Sequence, residues 1–197
     1  MKANCFTQVP PEKILVALLT CGLIGSLVHA GTGYDLTLEA VTDPITCVTT
    51  PKGPACTIHG SFSFANNGVE YGSADLSVIV TDSTKPMKPP KWKVVFQFNN
   101  LTFNLGANPS SKLNVYLSDD DLLDATDMPL IKSGKEPSTA SLNALAAIVL
   151  NHPVKLKTSI PKSTNLSGKH LIAVIDFDNG VTESDETNNT TMLGTIP

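Results

Sequence analysis

Two runs of carboxylates carry most of this chain's capacity for acid–base or metal chemistry. Asp119, Asp120, Asp121, Asp124 and Asp127 form one; Asp176, Asp178, Glu183, Asp185 and Glu186 form the other, which closes on Asn188-Asn189. Calcium collects about six to eight oxygens, often from carboxylates on a turn. Asp176, Asp178 and Glu183 stand on or beside the turn signal Asn179-Gly180, so they are candidate calcium ligands, with Asp119 and Asp121 as possible donors from the other run. The segment is not an EF-hand loop. Counted from Asp176, Gly180 falls at the fifth position where the sixth is required, and Thr187 stands where the bidentate glutamate belongs. A plainer reading also fits: Asp178-Asn179-Gly180 makes a hairpin turn, Glu183, Asp185 and Glu186 keep an edge strand soluble, and Asn188 and Asn189 bond to nearby backbone.

Catalytic patterns are scarce. Paired carboxylates can hydrolyse glycosides, but these sit among turn residues, where solvation accounts for them. Beyond residue 30 the histidines are His59, His152 and His170, scattered along the chain, and no Gly-x-Ser-x-Gly elbow or His-Glu-x-x-His motif occurs. The net charge is −4 and there is no arginine, the usual reader of guanine and of the phosphate backbone, which argues against nucleic acid. Lys85-Pro86-Met87-Lys88-Pro89-Pro90-Lys91-Trp92-Lys93 reads as extended and solvated. Trp92 is a candidate binding platform for a sugar ring or a partner peptide. Alternatively it opens a strand and fills the core, since Val94, Phe96 and Phe98 share its parity.

The cysteines and the first thirty residues indicate the compartment. Lys13 precedes an apolar run from Ile14 to Val28, and Val28-His29-Ala30 fits a signal-peptidase site, which makes residues 1–30 a signal peptide and Gly31 the mature start. Thr20, Gly22, Gly25 and Ser26 dilute the run below what a membrane anchor needs. Cys5 and Cys21 leave with that segment. Cys47 and Cys56 remain, bracketing a Pro/Gly-rich stretch, and read as one disulfide of an exported protein.

The elements that must position these groups are mostly strands. Residues 35–41 and 58–64 alternate polar and apolar, the latter stopping at the turn signal Asn66-Asn67-Gly68. Further strands are expected at 76–80, 94–98, 113–117, 129–131 and 154–160. Leu171 to Phe177 is apolar at nearly every position, as a strand covered on both faces would be, with Asn179-Gly180 turning it into a final hairpin. Ser141 to Leu150 has helical spacing and reads as a short helix inserted between strands, packed on an open end of the fold. Short strands separated by turn residues predict an antiparallel sandwich.

Asp176-Phe177-Asp178-Asn179-Gly180-Val181-Thr182-Glu183-Ser184-Asp185-Glu186-Thr187-Asn188-Asn189 resembles the closing signature of the CARDB family, the cell-adhesion-related domain found in bacteria. Val115-Tyr116-Leu117-Ser118-Asp119-Asp120, with Asp124 and Asp127, resembles that family's mid-domain segment, and Phe64-Ala65-Asn66-Asn67-Gly68 its early strand and turn. The resemblance covers about residues 35–195. It departs at residues 69–114, longer than the family's link, and at the helix. It implies an immunoglobulin-like sandwich; with the residue reading, the expected fold is all-β and antiparallel with a short inserted helix. The expected module, residues 31–197, is non-enzymatic, secreted or held in the cell envelope, and acts in adhesion or display toward a protein or glycan. It has no membrane span once residues 1–30 are removed. A small secreted hydrolase and a purely structural spacer are the alternatives.

Overall fold

Alternating apolar side chains give this chain its sheets, and short turns set their register. The computed structural model describes residues 33–51, 53–148 and 152–197; the expected signal peptide and its cleavage site lie outside the described residues. From Gly33 onward the described residues belong to one compact unit. The strands are β1 (Leu36–Thr42), β2 (Thr46–Thr50), β3 (Gly53–Asn66), β4 (Val69–Asp82), β5 (Lys91–Phe103), β6 (Leu113–Ser118), β7 (Met128–Pro129), β8 (Val154–Pro161), β9 (His170–Ile175) and β10 (Thr190–Thr195). One helix, α1 (Thr139–Ile148), falls between β7 and β8.

All pairings between these strands are antiparallel. One sheet runs β1-β3-β4-β5-β8, with β2 beside β1 along the same edge of β3; the other runs β10-β9-β6-β7. Within these, β4-β5-β8 facing β10-β9-β6 reproduces the A-B-E against G-F-C order of an immunoglobulin-like sandwich. The β1–β3 strands extend it, and the long 69–114 stretch supplies β4 and β5. Phe62, Phe64, Phe96 and Phe98 of the first sheet and Leu113, Leu171, Ile175 and Leu193 of the second fill the core. Phe62 and Phe64 meet edge to face at 5.1 Å.

The β3–β4 hairpin turns on Asn67-Gly68, with φ of 50° and 73°, so two left-handed residues make the primed turn that matches strand twist. In α1 the backbone N–H groups of Ser138 and Ser141 each donate to the other's hydroxyl, at 2.9 and 3.1 Å, a reciprocal cap that starts the helix ahead of Ser141. Its Leu142 is fully buried, and the helix packs on β5 and β8.

The Pro/Gly stretch between the cysteines makes a hairpin: β2 and β3 pair directly, Cys47 lies opposite Cys56, and the expected disulfide joins them across the ladder. One local expectation changes. The final hairpin does not turn tightly at Asn179-Gly180. Strand β9 ends at Ile175 and β10 begins only at Thr190, because Asp176, at φ 51°, breaks the strand.

Candidate functional site

The stretch between β9 and β10 is organised by its carboxylates. Asp176 is buried, at 1% exposure, and accepts from the N–H of Gly180 at 3.2 Å and of Val181 at 2.9 Å. Its own N–H donates to the Lys112 carbonyl at 2.7 Å. Glu183 reaches across to the first strand: Oε2 accepts from the Leu36 N–H at 2.5 Å, and Oε1 from Asn189 Nδ2 at 3.0 Å. Glu186 Oε1 accepts from the Glu183 N–H at 3.1 Å, and Asn188 Nδ2 donates to Asp35 at 2.7 Å. The result is a knot that ties the β9–β10 connection to the start of β1.

Asp176, Glu183 and Glu186 each bring one carboxylate oxygen within 4.8 Å of the others. Burial pushes the Glu183 carboxyl up, the bonds from Leu36 and Asn189 oppose this, and the charges of Glu186 and Asp176 add to it. Burial also pushes the nearby Tyr71 phenol up to about 12; the Ser111 hydroxyl opposes the shift, and Glu183 and Asp176 reinforce it. Neither Tyr71 Oη nor Ser111 Oγ meets a partner at hydrogen-bonding geometry, and the buried Oδ1 atoms of Asn188 and Asn189 have no donor. Three carboxylates and amide oxygens without donors are the hard ligands calcium prefers.

The other expected ligands are elsewhere. Asp178 forms an ion pair with Lys112, and Asp119 with Lys169. Asp121 is exposed in the connection after β6. In the β6–β9 ladder Ser118 lies opposite His170 and Leu113 opposite Ile175. Asp119 and Asp121 therefore leave one end of the strand pair and Asp176 the other, about 23 Å apart at strand rise for Asp119. Ligands shared between the two acidic runs are excluded. The first run makes local turns instead: Asp120 accepts from the Leu122 N–H at 2.9 Å and Asp124 from the Thr126 N–H at 2.7 Å. Glu186 and Asn189 replace Asp178, Asp119 and Asp121 beside Asp176 and Glu183. In the sequence, the Asn179-Gly180 turn signal and the acidic residues around it mark a loop but do not say which oxygens converge.

Trp92 faces inward, packed against the core with Val94 and Phe96, and the Lys162 ammonium caps its ring at 5.4 Å. It is not an open platform. His59 Nδ1 lies 3.0 Å from the Ser77 hydroxyl, its neighbour across the β3–β4 ladder, and no carboxylate among the described residues bonds to His59. His170 Nδ1 lies 3.2 Å from Thr195 Oγ1.

No protein-family model matches this chain, and neither a curated protein nor a solved structure matches it.

Proposed function

We propose that the chain is an exported, non-enzymatic β-sandwich module that works in adhesion or display, toward a protein or glycan at the cell surface. The observation that carries this reading is the knot itself. Asp176 and Glu183 direct their oxygens at the chain's own N–H groups, which suits carboxylates that fix strands rather than move protons. A cross-strand disulfide supports an oxidising compartment. Among the described residues no helix is long and apolar enough to cross a membrane. Calcium belongs to the same reading, as a ligand of Asp176, Glu183 and Glu186 that holds the loop end rigid. The resemblance to the CARDB family points the same way.

The competing hydrolase reading makes a separate demand. Purified protein offered a panel of ester and glycoside substrates should give no turnover above the uncatalysed rate. Turnover that disappears in Glu183→Gln or Ser77→Ala would make the protein an enzyme and remove the proposal.

A further inference from the structure

At the far end of β4 from the knot, roughly 40 Å along the strand, the lysines of this acidic chain converge. A cleft of about 240 Å³ is lined by Lys85, Lys88, Lys91, Lys93 and Lys157, with the Ser159 hydroxyl among them. Three separate segments build it. Lys85 and Lys88 come from the β4–β5 connection, Lys91 and Lys93 from β5, and Lys157 from β8. Register explains the convergence. Lys91, Lys93 and Val95 of β5 stand opposite Pro161, Ser159 and Lys157 of β8. Trp92, Val94 and Phe96 take the inward positions, so the lysines share the outer face.

No carboxylate lines the cleft. The ion pairs among the described residues use Lys112, Lys162 and Lys169, leaving all five cleft lysines unpaired. Asp82, which lines a neighbouring groove with Ser83 and Lys93, is held by Lys162. Lysines on β8 alone would be explained as protection of an edge strand. That does not account for Lys91 and Lys93, since β5 is paired on both sides, nor for two more in the connection above them. All five lysines are exposed and share this face without a counter-charge of their own, which an oxyanion seated among them would supply.

We propose that this cleft binds a phosphate or sulfate ester, with the lysines as point charges and Ser159 as a hydroxyl donor. The site is separate from the acidic knot and does not depend on export. The same chemistry is offered by a phosphorylated or sulfated sugar and by a phospholipid headgroup; Met87, fully exposed at the tip of the lysine-bearing connection, makes the lipid source worth an arm of its own.

The test is calorimetric titration of the protein with inorganic pyrophosphate at low and at physiological salt. Binding should weaken as salt rises, and Lys93→Gln with Lys157→Gln should weaken it about tenfold or more. The charge-matched pair Lys132→Gln with Lys135→Gln, exposed and outside the cleft, should leave it unchanged. A second arm uses phosphatidylglycerol vesicles against phosphatidylcholine controls. Vesicle binding that pyrophosphate displaces places a lipid headgroup in the cleft. Absence of vesicle binding, with pyrophosphate binding retained, assigns a soluble ester. The proposal is overturned by no pyrophosphate binding at low salt, by equal loss in both double variants, or by vesicle binding that pyrophosphate does not displace.

Discussion

Glu183 ties three segments together: its carboxylate accepts from the Leu36 N–H of β1 and from the Asn189 amide before β10, and its own backbone N–H donates to Glu186 in the loop. That position costs it solvation, and the neighbouring charges of Glu186 and Asp176 add to the strain. Without a cation, the folded state therefore binds the Glu183 proton more tightly than the unfolded chain does. Its contribution is fully present below the ordinary carboxylate range and is lost as pH rises through the raised folded value. Asp82 behaves oppositely: Lys162 and Thr84 hold its carboxyl down to about 2, so its contribution is present above the ordinary value and fades as pH falls. Thermal melts of the wild type and Glu183→Gln separate the two. In EDTA, the wild-type midpoint minus that of Glu183→Gln should grow as pH falls from neutral toward about 4; a constant difference would mean an unshifted Glu183. Millimolar calcium, but not magnesium, should raise the wild-type midpoint at neutral pH, because a ligand that binds only the folded state stabilises it by mass action. Asp176→Asn should lose that rise. An unchanged wild-type midpoint would leave the knot as a hydrogen-bonded loop without an ion.

Strands β3 and β4 set the frame, and two glycines show what their geometry demands. A Cβ at Gly60 would lie 2.3 Å from the Val41 carbonyl oxygen, where β1 runs against β3. Gly68 has open space around its Cβ position but a φ of +73°. Gly60→Ala should therefore cost about 2–3 kcal/mol by prising β1 from β3, and Gly68→Ala only about 1 kcal/mol of left-handed strain. Urea unfolding gives both values; a larger loss at Gly68 would contradict the packing described for β1. The same ribbon shows how far sequence reaches. The alternation at 58–64 is legible because it precedes the first irregularity, and the strand at 76–80 because it follows the second. Register shifts at Phe64/Ala65 and at Ser73/Asp75 break the period of two, so the first part of β4 shows no alternation although it is strand. Helix α1 was legible from spacing, but its start is set by the Ser138–Ser141 cap. Asp176 and Glu183 were legible as acidic residues near a turn. Their partners were not, because the left-handed Asp176 redirects the chain so that Glu186 and Asn189 come to it, while register sends Asp119 and Asp121 to the other end.

At the scale of the whole fold, the carboxylate knot sits where β4 begins and the cleft lysines where β4 ends, while the Asp119–Asp127 run leaves the β6–β9 pair at the end away from the knot. The Cys47–Cys56 bridge lies on the same long ribbon, closing the β2–β3 hairpin at the lysine end. A bridge of this kind fits an oxidising compartment, and the proposed export takes Val28-His29-Ala30 as its cleavage site. The central claim is that this is an exported, disulfide-closed module, and intact mass spectrometry of protein recovered outside the cytoplasm of cells expressing the full chain tests it most directly. The expected species begins at or near Gly31 and takes up no alkylating reagent until it is reduced, after which Cys47 and Cys56 both react. Retention of residues 1–30 on a cytoplasmic chain, or alkylation of both cysteines in unreduced exported protein, would contradict the account.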